Sequence, residues 1–209
     1  MVDFQSYLIT DRRGTGGRGL VDVVEMALKG GVGAVQLREK DLSARELMEV
    51  GSELREVTRR YGARFLINDR VDIALALDCD GVHLGQRGIS PRDARKLLGK
   101  RGLIGVSTHG IEEARRAEEE GADFITLGPI FHTPSKAQYG DPIGVEQIGC
   151  VKREISLPIF ALGGIREERV REVMDGGADG IGMISVILAA KEPSEAAASL
   201  VRALATPPS

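Results

Sequence analysis

Gly30-Gly31-Val32-Gly33-Ala34-Val35-Gln36-Leu37-Arg38-Glu39-Lys40 joins a helix to a strand and ends the strand in charge. The glycines supply a left-handed stop for the preceding stretch, in which Val21, Val24, Ala27 and Leu28 recur at helical spacing. An apolar run follows at once. A strand has side-chain period two, so Gln36, Arg38 and Lys40 point one way and Leu37 and Glu39 the other. Two cations and an amide on one face of a strand end would grip a phosphate or a diphosphate.

The same joint recurs at Asp78-Cys79-Asp80-Gly81, Gly121-Ala122-Asp123 and Gly176-Gly177-Ala178-Asp179-Gly180. Strands are expected over 7–11, 34–40, 64–69, 81–86, 103–108, 124–130, 158–163 and 180–185. Amphipathic stretches separate them. Leu42, Leu47, Val50, Leu54 and Val57 mark the second. Later helices start after Ser90-Pro91, with Ser90 as N-cap, after Gly110 and after Gly164, and Ser194 starts the last. Eight such repeats place the chain in the α/β class as a single (β/α)8 TIM barrel. Residues 1–209 then form one domain, with a short flexible C-terminal tail from about residue 205. An open doubly wound sheet is the alternative. The cluster Gly14, Gly16, Gly17 and Gly19 lacks the G-x-G-x-x-G spacing of a dinucleotide site and reads as a flexible loop.

The totals exclude several function classes. A chain of 209 residues that is 42% hydrophobic supports one sizeable core. A formal charge of -3 gives no basic field for nucleic acid or an anionic membrane. With no Trp and 4% aromatics, base-stacking platforms are not expected. Cys79 and Cys150 match no metal spacing and no disulfide framework. No signal pattern or spanning apolar run occurs, so a cytoplasmic location is expected.

Barrel active sites lie where strands end. The residues there include Arg38 and Lys40, Asn68, Asp69 and Arg70, Gln86 and Arg87, and Ser107 and His109. Thr133, Ser135 and Lys136 follow strand six, Gly163-Gly164 strand seven, and Ile184-Ser185 strand eight. Loops seven and eight of such barrels often bind phosphate through backbone N–H groups. The glycine pair is equally what a tight turn needs. Arg38, Lys40 and Lys136 form a second cationic group, suited to a larger anion such as a diphosphate. Asp69 beside it suits magnesium, which takes carboxylate and phosphate oxygens. An Asp that caps the next helix or pairs with Arg70 is the plainer alternative. His83 alternates with Val82 and Leu84 and is expected to face the barrel interior, while His109 and His132 lie in loops.

Gln36-Leu37-Arg38-Glu39-Lys40, Ile67-Asn68-Asp69, Gly81-Val82-His83-Leu84-Gly85-Gln86, Gly105-Val106-Ser107-Thr108-His109, Gly128-Pro129-Ile130-Phe131, Thr133-Pro134-Ser135-Lys136 and Ala161-Leu162-Gly163-Gly164-Ile165, in this order, resemble the thiamine phosphate synthase family. The resemblance implies a Mg2+-dependent transferase. It would join 4-amino-5-hydroxymethyl-2-methylpyrimidine diphosphate to thiazole phosphate through a pyrimidine carbocation. It implies that Arg38, Lys40, Asn68 and Lys136 hold the diphosphate with help from Ser107, and that Asp69 binds magnesium. Gln36 would contact the pyrimidine. Thr133 and Ser135 would line the thiazole–pyrophosphate side, and Gly164, Ile184 and Ser185 would hold the thiazole phosphate. The partners implied are these small molecules, with room for a homo-oligomer and none for nucleic acid or membrane. The family pattern continues Glu-Asp after Gly85-Gln86, and that Asp is the second magnesium ligand. Here Arg87-Gly88 follow. The departure leans toward the family's thiazole tautomerase branch, although that branch has its acid–base His where Pro129 stands here. A non-catalytic thiazole or thiamine phosphate-binding barrel is the remaining alternative.

Overall fold

The computed structural model describes residues 2–133 and 141–205. Eight parallel strands run in chain order: β1 Ser6–Ile9, β2 Ala34–Leu37, β3 Arg64–Asn68, β4 Gly81–Leu84, β5 Leu103–Thr108, β6 Phe124–Leu127, β7 Ile159–Leu162 and β8 Gly180–Met183. β8 pairs with β1, with Tyr7 opposite Gly182, so the sheet closes. That pairing rules out the open doubly wound sheet. The described helices are α1 Leu20–Lys29, α2 Ala44–Tyr61, α3 Val71–Ala76, α4 Pro91–Leu98, α5 Ile111–Glu119, α6 Glu146–Lys152, α7 Glu167–Asp175, α8 Ser185–Leu188 and α9 Pro193–Ala205. Helices alternate with strands around the ring, which makes a (β/α)8 barrel. Ser90 caps α4 with Pro91 at its first position. Ser43 and Glu46 form a capping box that starts α2. The expected C-terminal tail lies outside the described residues. No described helix is long and apolar enough to cross a membrane.

Every strand except β5 stops one to three residues sooner than its apolar run suggests. β2 ends at Leu37, so Arg38, Glu39 and Lys40 belong to the following loop and strand alternation does not orient them. The ladder stops where polar side chains reach the rim and the chain must turn outward to its helix.

Alternation along the strands divides the core into two layers. Leu8, Val35, Leu37, Phe65, Ile67, Val82 and Ile104 face outward and pack under the helices. Phe4, Tyr7, Leu66, Leu103, Phe124 and Phe160 fill the barrel interior. Neighbouring rings there meet at centroid distances of 5.1–6.1 Å, mostly tilted or edge-on. Gly105 makes this filling possible, because a Cβ at that position would collide with the Phe124 ring and with His83 Nδ1.

The opposite end of the barrel is fastened by a repeated ion-paired clasp. Asp80, Asp123 and Asp179 each precede an even-numbered strand. Their N–H groups donate to Phe65 O, Ile104 O and Ile159 O at 2.8–2.9 Å. Their carboxylates accept the N–H of the same three residues at 2.9, 2.7 and 2.8 Å. A cation from the helix before the partner strand, α2, α4 or α6, completes each clasp, with Arg55 and Arg95 at 2.6 Å and Lys152 at 2.5 Å. Before β2 the place is held by Gly33, and Ser6 Oγ accepts its N–H at 2.9 Å.

Burial raises the Asp80 carboxyl's pKa. The Phe65 N–H, Arg64 and Arg55 outweigh it and hold the pKa below the usual value. A depressed carboxylate stabilises the fold above its unfolded pKa of about 3.9, and that contribution is lost as pH falls through the folded value. Asp80→Ala is expected to cost about 1–3 kcal/mol in urea unfolding near neutral pH, because it strands a backbone N–H and Arg55. The gap to the parent should narrow below about pH 4; a gap that widens in acid contradicts the clasp.

Candidate active site

The site is built on the top of the aromatic filling. Tyr7 is fully buried, and its hydroxyl receives Gln36 Nε2–H at 2.9 Å and lies 3.3 Å from His83 Nδ1. His83 Nε2 stands 3.0 Å from Ser107 Oγ and 3.4 Å from Thr126 Oγ1. Thr126 O accepts the Thr108 hydroxyl at 3.0 Å. Side chains from β1, β2, β4, β5 and β6 thus form one polar floor. Gln36 Oε1 is buried and has no hydrogen-bond partner among the described residues. Burial, reinforced by the charge of Arg38, pushes the His83 pKa down to about 3, so the imidazole is neutral near pH 7. The field of Arg38 therefore reaches the interior although its residue lies past the strand.

Above the floor is a rim of loop residues. Arg38 is half-buried, its N–H bound to Thr10 Oγ1 at 2.9 Å, and Lys40 is exposed. Glu39 between them is buried, and Arg12 bridges to it through its backbone N–H at 3.0 Å and its guanidinium at 3.2 Å. Arg12 also forks onto both oxygens of Asp41 at 2.6 and 2.8 Å, holding that carboxyl well below the usual carboxylate range. The loop after β1 thereby pins the two cations of the loop after β2.

Asn68 and Asp69 are brought together at the end of β3. Asp69 has φ 57°, a left-handed conformation uncommon for a residue with a side chain. Its carboxylate accepts Gly85 N–H at 2.7 Å and Asn68 Nδ2–H at 2.8 Å. Asp69 is therefore not paired with Arg70, which binds Asp72 at 2.6 and 2.9 Å. A Cβ at Gly88 would stand 2.8 Å from Asp69 Oδ1, so position 88 lies directly against this carboxylate. Among the described residues no group of three or more His, Cys, Asp or Glu gathers to hold a metal. One carboxylate with free lone pairs still suits magnesium, which completes its shell with phosphate oxygens and water. Gln86 braces the neighbouring strand end, donating to Ser107 O at 2.5 Å and accepting from Arg116 at 2.6 Å.

On the other side of the mouth, Gly163 and Gly164 have φ 103° and 66°. Side chains there would run into Pro129 and into Phe131 and His132, each 2.8 Å from the missing Cβ. The turn and its contact with the loop after β6 alone account for both glycines. Arg169 secures this contact, donating to Gly164 O at 2.8 Å and stacking 4.4 Å over the Phe131 ring. Ile184 packs against the interior layer and Ser185 is exposed at the start of α8. Thr133 is half-buried, while Ser135 and Lys136 lie outside the described residues.

Two participants escaped sequence reading. Tyr7 reads as a core residue of an apolar strand; only a fully buried hydroxyl reveals its polar role. Arg12 sits in a glycine-rich loop with no motif, and its partner Glu39 is 27 positions away.

A family model described as thiamine monophosphate synthase matches residues 6–187. A homologue from Geobacter sulfurreducens is 55% identical over 97% of this chain and 95% of its own. The thiamine-phosphate synthase of Moorella thermoacetica is 44% identical over 96% of this chain and 95% of its own. The solved thiamine phosphate pyrophosphorylase of Pyrococcus furiosus superposes with TM-score 0.88 and 37% identity, covering 96% of this chain and 95% of that one.

Arg12→Ala strips the guanidinium from a buried carboxylate. We expect a measurable loss of stability by chemical denaturation. Weaker binding of inorganic pyrophosphate by calorimetry should accompany it, because Arg38 and Lys40 lose their fixed neighbour. Unchanged pyrophosphate affinity would show that the bridge does not position them.

Proposed function

The chain belongs to the thiamine monophosphate synthase family, and on that premise we propose that it couples 4-amino-5-hydroxymethyl-2-methylpyrimidine diphosphate with thiazole phosphate. The products are thiamine phosphate and pyrophosphate. Family membership makes the chain a transferase. The same reading takes residues 1–209 as one barrel domain working in the cytoplasm.

The observation that carries the reading is the buried Gln36 Oε1, without a partner among the described residues and set in a polar floor beside Ser107 and under the charge of Arg38. A buried acceptor left unmade costs free energy, and the amino group of a pyrimidine supplies the missing donor. The diphosphate then extends from this floor to the rim. Arg38, Lys40 and Lys136 give it charge, the second Asn68 N–H and the Ser107 hydroxyl give it hydrogen bonds. In the reaction the bond between the pyrimidine methylene carbon and the diphosphate oxygen breaks, and both electrons leave with pyrophosphate. The aminopyrimidine ring spreads the resulting positive charge. The thiazole nitrogen gives its lone pair to that carbon and closes the new bond. No protein nucleophile takes part, so the catalytic work is orientation and stabilisation of charge on the leaving group. Magnesium, when bound by Asp69, supplies further charge neutralisation at the diphosphate oxygens. Gly164, Ile184 and Ser185 would seat the thiazole phosphate, with Thr133 and Ser135 between the two substrates.

Gly88 favours a second reading, thiazole tautomerase, because the metal support beside Asp69 is reduced to one carboxylate. The deciding assay gives the purified protein both substrates and magnesium. Release of pyrophosphate that requires both is expected; interconversion of thiazole isomers without pyrophosphate release would establish the tautomerase instead. Gly88→Asp sets a second carboxylate against Asp69 and is expected to lower the magnesium concentration for half-maximal turnover several-fold. An unchanged requirement would mean that position 88 does not act on the metal.

A further inference from the structure

The polar floor has a direction. Gln36 Nε2–H donates to the Tyr7 hydroxyl at 2.9 Å, which leaves that hydroxyl its own proton to give. The acceptor in reach is His83 Nδ1 at 3.3 Å. A ring nitrogen that accepts carries no proton. His83 is wholly enclosed, with its ring 5.7 Å from Tyr7 and 5.8 Å from Phe124, and its one ring proton then sits on Nε2. Nε2 faces Ser107 Oγ at 3.0 Å, ahead of Thr126 Oγ1 at 3.4 Å. Ser107 Oγ therefore receives from below.

We propose that Tyr7 is a positioning residue, acting through His83 to aim the Ser107 hydroxyl proton out of the barrel toward the bound anion. The identity of that anion rests on the diphosphate reading; the direction of the chain rests on the hydrogen-bond geometry. The opposite polarity would place the ring proton on Nδ1 and turn the Ser107 proton inward to Nε2. An incoming anion would then meet lone pairs in place of a donor. No proton changes owner in this device; it fixes which atom donates.

Nitrogen NMR of the full chain with 15N-labelled histidine tests the proposal. His83 is one of three histidines, and the other two stand in loops. The Nε2–H tautomer is expected for His83 near neutral pH. Tyr7→Phe keeps the ring packing and removes only the hydroxyl. It should bring in the Nδ1–H tautomer and weaken inorganic pyrophosphate binding by about tenfold, the value of roughly one hydrogen bond. In a Ser107→Ala background the same change should add nothing further. Additive losses, or Nδ1–H in the parent protein, overturn the proposal. If the parent has the Nε2–H tautomer but binds no pyrophosphate, the diphosphate reading fails and takes the proton's target with it. Nδ1–H with pyrophosphate bound sinks the relay alone.

Discussion

The buried hydroxyl of Tyr7 is the constraint around which the rest is arranged. A closed barrel must be filled, and Phe4, Tyr7, Phe124 and Phe160 fill it with rings. A phenol in that filling leaves a polar group wholly out of water, which is stable only if neighbouring strands supply partners. Gln36 from β2 and His83 from β4 do so, and His83 passes the requirement on to Ser107 of β5. Satisfying one hydroxyl thus gathers four strands under the mouth. The floor of the site is the upper surface of the core.

The two ends of the barrel divide the labour. At the lower end, three aspartates exchange hydrogen bonds with neighbouring strands and take a cation from a helix, which holds the ring shut. At the upper end the strands stop early, and the loops are tied to one another. Arg12 links the loops after β1 and β2, the Asp69 carboxylate links those after β3 and β4, and the glycine pair presses loop seven on loop six.

Much of this was legible in the residues. The glycine joints and eight apolar runs point to the barrel, and period two correctly separates Gln36 from Leu37 and His83 from Val82. The strand ends were overrun, since an apolar run does not say where the ladder stops. Asp80, Asp123 and Asp179 stood inside the recognised joints, yet their paired hydrogen bonds and their cations were hidden, because the partners lie 15 to 28 positions away. Tyr7 was hidden for the same reason, with partners 29 and 76 positions off. Gly88 stood out only against a family pattern; its closeness to Asp69 is a matter of three-dimensional folding.

In the proposed function one anion site, made by the floor and the rim together, holds a diphosphate over Gln36 and His83. A crystal structure with magnesium and inorganic pyrophosphate bound tests it most directly. Pyrophosphate is expected between Arg38, Asn68 and Ser107, with the metal joining it to Asp69. Pyrophosphate seated only at Gly163-Gly164 and Ser185, with Arg38 and Ser107 untouched, would contradict it.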